Sequence, residues 1–263
     1  MADITAREVK ALRDATGAGM MDAKRALVEC DGDAEAASQL LREKGLAKAA
    51  TRSDRHNVEG AVGLVSDGRR AALVHLKCET DFSAKSEGFL ALVDELTNAV
   101  LSEGISALDG RTSAIDDLRL SIKENIEVGR VALIEAVDGN VIDTYLHVQD
   151  GRGVNGVVVE GSGVDQETLH QVALHIAFAK PTHLTREEVS ADLVEAERAA
   201  LLDITKAEGK PEQAWDKIVE GRLTGWFLET VLLEQGLHGD KTSVAETLNG
   251  GSIERFTQAY LGA

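Results

Sequence analysis

Aromatic residues are scarce in this chain, with 5 Phe, 2 Trp and 2 Tyr in 263 residues, so an aromatic outside an apolar stripe is conspicuous. Cysteine is limited to Cys30 and Cys78. Two cysteines do not build a disulfide framework, and neither lies in a CxxC or Cys/His zinc spacing. No apolar run approaches about 18 residues and no apolar stretch follows a basic start, which argues against a membrane span or a secretory signal and predicts a soluble, cytoplasmic protein. Positive charge is also short: 28 Lys and Arg face 45 Asp and Glu, for a formal charge of −17. Such a surface repels a phosphate backbone and argues against direct nucleic-acid affinity. The excess is uneven. Residues 1–55 carry 10 basic and 10 acidic side chains, which leaves 18 against 35 for residues 56–263. A neutral or basic protein surface is the partner this charge favours.

The length suits one large domain or two to three smaller ones. Residues 1–45 read as a three-helix unit. Thr5 and Glu8 form a capping box, with Ile4 and Val9 as a hydrophobic staple. Thr16-Gly-Ala-Gly19 breaks the first helix. Met20 to Glu29 makes the second, with Met21, Ala23, Ala26 and Leu27 able to face inward. Asp33 caps a third over residues 34–44, and Gly45 is a plausible stop. Residues 46–58 are polar and locally basic and read as a linker. Beyond them the pattern changes. Residues 61–65 and 71–76 flank Ser66-Asp-Gly-Arg69, a hairpin signal, and residues 130–137 and 141–148 flank Asp138-Gly-Asn140 in the same way. The repetition predicts two related α+β subdomains, 59–139 and 140–263. Within the second, Val154 to Glu160 is a strand and Gln166 to Ala179 a helix stopped by Lys180-Pro181. Thr185 with Glu188 suggests another capping box, opening an antiparallel helical hairpin over 185–234 with its turn at Glu208-Gly-Lys-Pro211. A short module over 237–263 offers a helix at Ser243 to Leu248 and a weak edge strand at Ile253 to Phe256. The predicted class is therefore α+β: a small three-helix domain, a two-subdomain antiparallel core, a helical hairpin and a short C-terminal module.

Catalytic and cofactor signatures fail on context. Gly151-Arg-Gly-Val-Asn-Gly156 matches GxGxxG, but a strand follows where the pyrophosphate-binding fingerprint needs a helix N-terminus. Gly17-Ala-Gly19 lacks the Lys and Ser/Thr of a P-loop. His170 and His175 are five apart, which does not align them as zinc ligands on one helix face. Cys78 sits in an apolar strand with no base fixed beside it, so a core role suits it better than a nucleophilic one. The sequence therefore predicts a binding protein with no cofactor or metal of its own rather than an enzyme; an unrecognised hydrolase would need a His or Cys beside a carboxylate in a pocket.

The stretch from Leu73 to Phe89 stands out. Its first half reads as a buried strand and its end opens a long amphipathic helix near Ser86. Between them, Thr80-Asp81-Phe82 puts an acid and an aromatic at the junction. A Phe there belongs by default to the core.

Cys78-Glu-Thr-Asp-Phe82, followed by Ala84-Lys85 and Phe89, resembles a signature of the bacterial elongation factor Ts family. Thr16-Gly-Ala-Gly-Met-Met-Asp22 is similar to that family's N-terminal motif. Tyr145-Leu-His147, His175-Ile-Ala177 with Lys180-Pro181, Gly209-Lys-Pro211, Leu232-Leu-Glu-Gln235 and Lys241-Thr242 follow in family order. The resemblance implies a ubiquitin-associated-like N-terminal domain and a guanine-nucleotide exchange factor for elongation factor Tu. It implies that Thr80, Asp81, Phe82 and Ser83 dislodge magnesium from that partner, and that Leu12, Met20, Met21 and His147 contact it. The assembly is left open between a homodimer and a 2:2 complex. Three departures stand out: Ser83 replaces a usually apolar residue, Gly236-Leu237 replaces Pro-Phe, and the alternation after Arg255-Phe256 is lost. An acidic adaptor without exchange activity is the alternative function.

Overall fold

A computed structural model describes residues 4–50 and 55–262. The first three helices are α1 (Ala6–Thr16), α2 (Met20–Glu29) and α3 (Ala34–Ala50). The capping box is present: Thr5 Oγ1 accepts from Glu8 N at 3.3 Å, and Glu8 Oε2 accepts from Thr5 N at 2.8 Å. Gly17, at φ +66°, ends α1 in the left-handed conformation that glycine adopts without strain. Val9, Leu12, Ala23, Ala26, Leu27 and Ala37 form the core. Met21, expected inward, points out and is 66% exposed. Gly45 does not stop α3, which continues to Ala50. A Cβ at Gly45 would overlap the Leu120 side chain on a later helix, so glycine here permits close helix packing rather than termination. Residues 46–50 of the expected linker are thereby helical, and positions 51–54 of it lie outside the described residues.

Strands β1 (Glu59–Ser66) and β2 (Arg70–Cys78) form the first hairpin. Asp67 closes its turn, its carboxylate accepting from the amides of Arg69 and Arg70. A one-turn helix α4 (Asp81–Ala84), the long α5 (Glu87–Glu103) and α6 (Thr112–Ile122) follow. Strand β2 is buried from Ala71 through Leu76 because both of its faces are covered. Ala72, Val74, Leu76 and Cys78 pack toward Phe89, Leu92, Leu96 and Val100 of α5, while Ala71 and Leu73 face a second sheet.

Strand β3 (Glu127–Glu135) corrects the predicted second hairpin: it pairs with β2, not with its sequence neighbour. The partner of β4 (Asn140–Gln149) is β5 (Arg152–Ser162), and β6 (Ser252–Tyr260) completes a second antiparallel sheet in the order β4-β5-β6. Asp138-Gly-Asn140 is thus a crossing between sheets. A buried carboxylate holds it: Glu160 accepts from Val137 N and from Asn140 Nδ2, both at 2.8 Å, and from Arg255 Nε at 2.6 Å. The two sheets share one strand order, β1-β2-β3 and β4-β5-β6. Each sheet is a hairpin followed by a helix and then a third strand, with α7 (Gln166–Ala179) standing to β4 and β5 as α5 stands to β1 and β2.

The two sheets meet through Val62, Ala71, Leu73 and Ile134 on one side and Ile142, Val158 and Ala259 on the other. Here the GxGxxG glycines find their purpose. Gly151 takes φ +79° in the β4–β5 turn. A Cβ at Gly153 would overlap the Val62 carbonyl oxygen, and one at Gly156 would crowd the Val62 and Leu73 side chains. They let β5 cross close over β1.

The helical hairpin consists of α8 (Ala191–Ala207) and α9 (Trp215–Thr230), closed around Val189, Leu223, Phe227 and Val231. Thr185 and Glu188 do not cap it. They bracket a separate 3-10 turn over Arg186–Glu188, Glu188 accepts from Leu184 N, and Ser190 is the true cap of α8. After α10 (Val244–Thr247), capped by Ser243 and Glu246, β6 runs well past the expected Phe256. Beyond Phe256 the small residues Thr257 and Ala259 take the inward positions.

Candidate functional site

The chain leaves β2 and turns at once into α4, so residues 79–86 link a buried strand to a buried helix. Thr80 is the pivot. Its backbone is extended, and its hydroxyl caps α4 by accepting from Ser83 N at 3.3 Å. Ser86 caps α5 in the same way, accepting from Phe89 N. Within the single turn of α4, Ser83 and Ala84 face inward while Asp81 and Phe82 face out. Phe82 is 86% exposed, so its reading as a core cap does not hold.

The turn is held on two sides. On the outside, Lys85 Nζ donates to Asp81 at 2.9 Å and reaches Asp150, at the β4–β5 turn, at 3.3 Å. The hydrogen bond from Lys85 holds the Asp81 carboxyl below the usual carboxylate range. On the inside stands Glu124, in the short loop between α6 and β3. Its Oε2 accepts from the amides of Glu79 (3.0 Å) and Thr80 (3.1 Å), and its Oε1 from the hydroxyls of Thr80 (2.6 Å) and Ser83 (2.7 Å). Burial works to raise the Glu124 pKa, but the bonds from Ser83, Thr80 and the two amides outweigh it and hold it below the ordinary value. Glu79 extends the network, accepting from Asn125 N at 2.7 Å and pairing with Arg55. Ser83, the departure from the usual apolar residue, is therefore buried with its hydroxyl satisfied.

Burial and the nearby Glu124 charge push the Cys78 thiol up to about 12, and its Sγ meets the Thr80 carbonyl at 3.2 Å. It stays protonated, without nucleophilic character. His170 pairs with Asp143 at 2.9 Å. His175 accepts from His238 N on Nδ1, which puts its proton on Nε2, donating to Gln235 at 2.9 Å. Among the described residues no group of three or more His, Cys, Asp or Glu is placed to hold a metal ion. Nor, among the described residues, is any helix long and apolar enough to cross a membrane.

The other expected contact residues divide. Met20 and Met21, 46% and 66% exposed, stand side by side at the start of α2. Leu12 is 5% exposed and belongs to the core of the three-helix unit, so it lacks the surface a direct contact needs; it seats α1 against α2. His147 is exposed on β4, oriented by Tyr145, whose hydroxyl lies 3.1 Å from its Nδ1. It precedes Asp150, the residue that Lys85 ties to α4, by one short stretch of strand. The structure thus brings Thr80, Asp81, Phe82 and Ser83 into one turn, links that turn to the strand end bearing His147, and keeps the methionines on the three-helix unit. Sequence reasoning missed Glu124 and Asp150, and it had Lys85 as part of the motif without its two carboxylate partners. One acid in a polar break between a helix and a strand carries no signal in a chain with 45 acids; only the pairing of distant segments distinguishes it.

Comparison with known proteins bears on the same segment. A family model described as Elongation factor TS matches residues 79–263, beginning at Glu79. The chain is 44% identical over 278 residues to an elongation factor Ts of Clavibacter michiganensis subsp. michiganensis, covering 100% of both sequences. It is 44% identical to that of Cutibacterium acnes, covering 98% of this chain and 99% of the relative. It is 42% identical to that of Micrococcus luteus, covering 100% of both. End-to-end identity at this level, together with the family match from the turn after β2 to the C-terminal module, makes this chain a member of the elongation factor Ts family of translation elongation factors.

Proposed function

We propose that the protein binds elongation factor Tu carrying GDP and speeds release of the nucleotide, so that GTP can take its place. The observation that carries this reading is Phe82, an aromatic ring 86% exposed at the tip of a one-turn helix whose base is tied down on two sides. An exposed Phe has no stabilising role in the free protein, whereas a rigid aromatic presented to a partner is a typical interface anchor. Inserted between elements of the partner, it would shift the groups that hold magnesium, with Asp81 hydrogen-bonding beside it. Losing the cation leaves the diphosphate charge poorly compensated, and GDP departs faster. Met20, Met21 and His147 serve as grips that orient the wedge. The protein transforms no substrate of its own; it acts on a GTPase as an exchange factor.

Linkage makes the effect reciprocal: nucleotide must weaken the hold of this protein on its partner by the same factor that this protein weakens nucleotide. A coupling of about 3 kcal/mol corresponds to roughly 150-fold in affinity.

The test is stopped-flow release of a fluorescent GDP from elongation factor Tu, chased with excess GDP. Wild-type protein is expected to speed release at least about 100-fold at saturation, and Phe82→Ala to lose about tenfold or more of that effect, as for loss of an interface hot spot. Binding without acceleration would identify an adaptor and overturn the exchange reading. Full acceleration by Phe82→Ala would remove the wedge from the account.

A further inference from the structure

We infer that Glu124 is a positioning residue for the exchange reaction: its carboxylate is the seat that makes the turn bearing Asp81 and Phe82 rigid enough to act as a wedge. The inference rests on the exchange reading above and adds to it a residue outside the recognised motif.

A four-residue helix is little more than a nucleus, and fixing one turn costs more conformational freedom than its hydrogen bonds return. Something outside the turn must hold it. Phe82 cannot, because its ring is exposed and packs on little. The contact between Asp81 and Lys85 lies on the solvent side, where ion pairs contribute little. Glu124 is different. It takes four donors, and all four belong to residues 79–83: the amides of Glu79 and Thr80 and the hydroxyls of Thr80 and Ser83. These are charge-assisted bonds, which are shorter and stronger than neutral ones. They also set the direction of the cap. With its proton committed to Glu124, the Thr80 hydroxyl presents a lone pair to Ser83 N, the cap that starts the turn.

Glu124 is itself well placed to be rigid. Lys123, at φ +65°, closes α6, and Asn125 and Ile126 on the other side are buried at the start of β3. The carboxylate is therefore carried by the framework of the first sheet, while the residues it grips carry the contact surface. A wedge that yields when pushed into a partner transmits no displacement; the role of this seat is stiffness.

Glutamine is the informative replacement, since it keeps the shape of the side chain. One of its two acceptor positions becomes an NH2 group, which faces donors and cannot accept from them. For Glu124→Gln the maximal rate of fluorescent GDP release from elongation factor Tu is expected to fall about tenfold. The concentration giving half that rate should stay within about twofold, because Met20, Met21 and His147 are untouched. In a Phe82→Ala background the same change should cost nothing further, since a seat has no role once the wedge is gone. In the free protein, the backbone amide resonances of Asp81 and Phe82 should broaden or shift.

An unchanged maximal rate, a loss that adds in full to that of Phe82→Ala, or a rise in half-saturation with no fall in maximal rate would overturn the assignment. Should Glu124→Gln fail to fold, Ser83→Ala removes one donor and leaves the carboxylate in place; a two- to threefold lower maximal rate is expected, and no change would overturn the proposal. If the wild-type protein does not accelerate release, the exchange reading fails separately, and the amide resonances of Phe82 still report whether Glu124 holds the turn.

Discussion

His75 lies on β2 with 2% of its surface exposed, and its Nε2 has no hydrogen-bond partner. Desolvation, reinforced by the charge of Lys77, pushes its pKa down to about 4. The sign of the consequence follows from linkage. Between the unfolded value near 6.5 and the folded value near 4, the unfolded chain binds a proton that the native state refuses. The native state therefore has its full stability above about pH 6.5 and loses it as pH falls through this window. The complete shift corresponds to roughly 3 kcal/mol, of which about 2 should be lost between pH 7 and pH 5, before the carboxylates titrate. Urea midpoints at those two pH values check this. His75→Leu should remove most of the difference, leaving a smaller part of the same sign from His175, whose pKa burial also lowers. Phe82 is the opposite case. With its ring exposed, Phe82→Ala should leave the thermal midpoint within about 1 °C, so the loss of exchange activity expected of this variant would not come from unfolding. His75 could be placed in a strand from the sequence, but its missing partner could not, because that depends on what β3 brings against it.

Elements with local signals were the legible ones. The ends of α1, α5 and α7 follow from Thr5 with Glu8, Ser86 and Lys180-Pro181, because a cap is a contact between residues a few positions apart. The same signal misled at Thr185 and Glu188, where the chain makes one 3-10 turn before Ser190 starts α8. Strand partners were legible for the first hairpin, β1 with β2, and misleading for the second. The residues of β3 and β4 flank an Asp-Gly turn that would serve a hairpin, yet β2 competes for β3 and wins, since its far edge would otherwise carry unpaired amides and carbonyls within the core. Strand β6 depends on a similar long-range tie. Arg255 donates to Glu160, whose side chain is 1% exposed, and to the Glu135 carbonyl at 2.6 Å, joining the edge of the second sheet to the end of the first. Arg255→Ala leaves that carboxylate with two donors in place of three. It should lower stability by about 2 kcal/mol, measured as a shift in the urea midpoint at unchanged slope.

At the scale of the whole molecule, the sheet-to-sheet contact decides where everything else lies. It rests on small residues. Gly153 brings β5 over β1 so closely that a Cβ would meet the Val62 backbone oxygen, which cannot rotate aside as a side chain can. Gly153→Ala should destabilise by about 2–3 kcal/mol, read by thermal or urea unfolding, with secondary structure retained in the folded fraction. The same contact sets the β4–β5 turn beside α4, where Asp150 can take Lys85, and so couples the second sheet to the turn bearing Phe82.

By itself the sequence determined the α+β class, the family and the caps at Thr5, Asp33 and Ser86, and it singled out the segment Thr80-Asp81-Phe82-Ser83, because these are written in local spacing, side-chain chemistry and ordered motifs. Only the tertiary structure decided that Phe82 is exposed, that Leu12 is core, that Gly45 packs rather than terminates, and that Glu124 grips the turn from beneath. Each of these depends on which distant segment comes to lie alongside. That choice is made by competition among all the strands and helices for the same buried area, which no local stretch of residues contains.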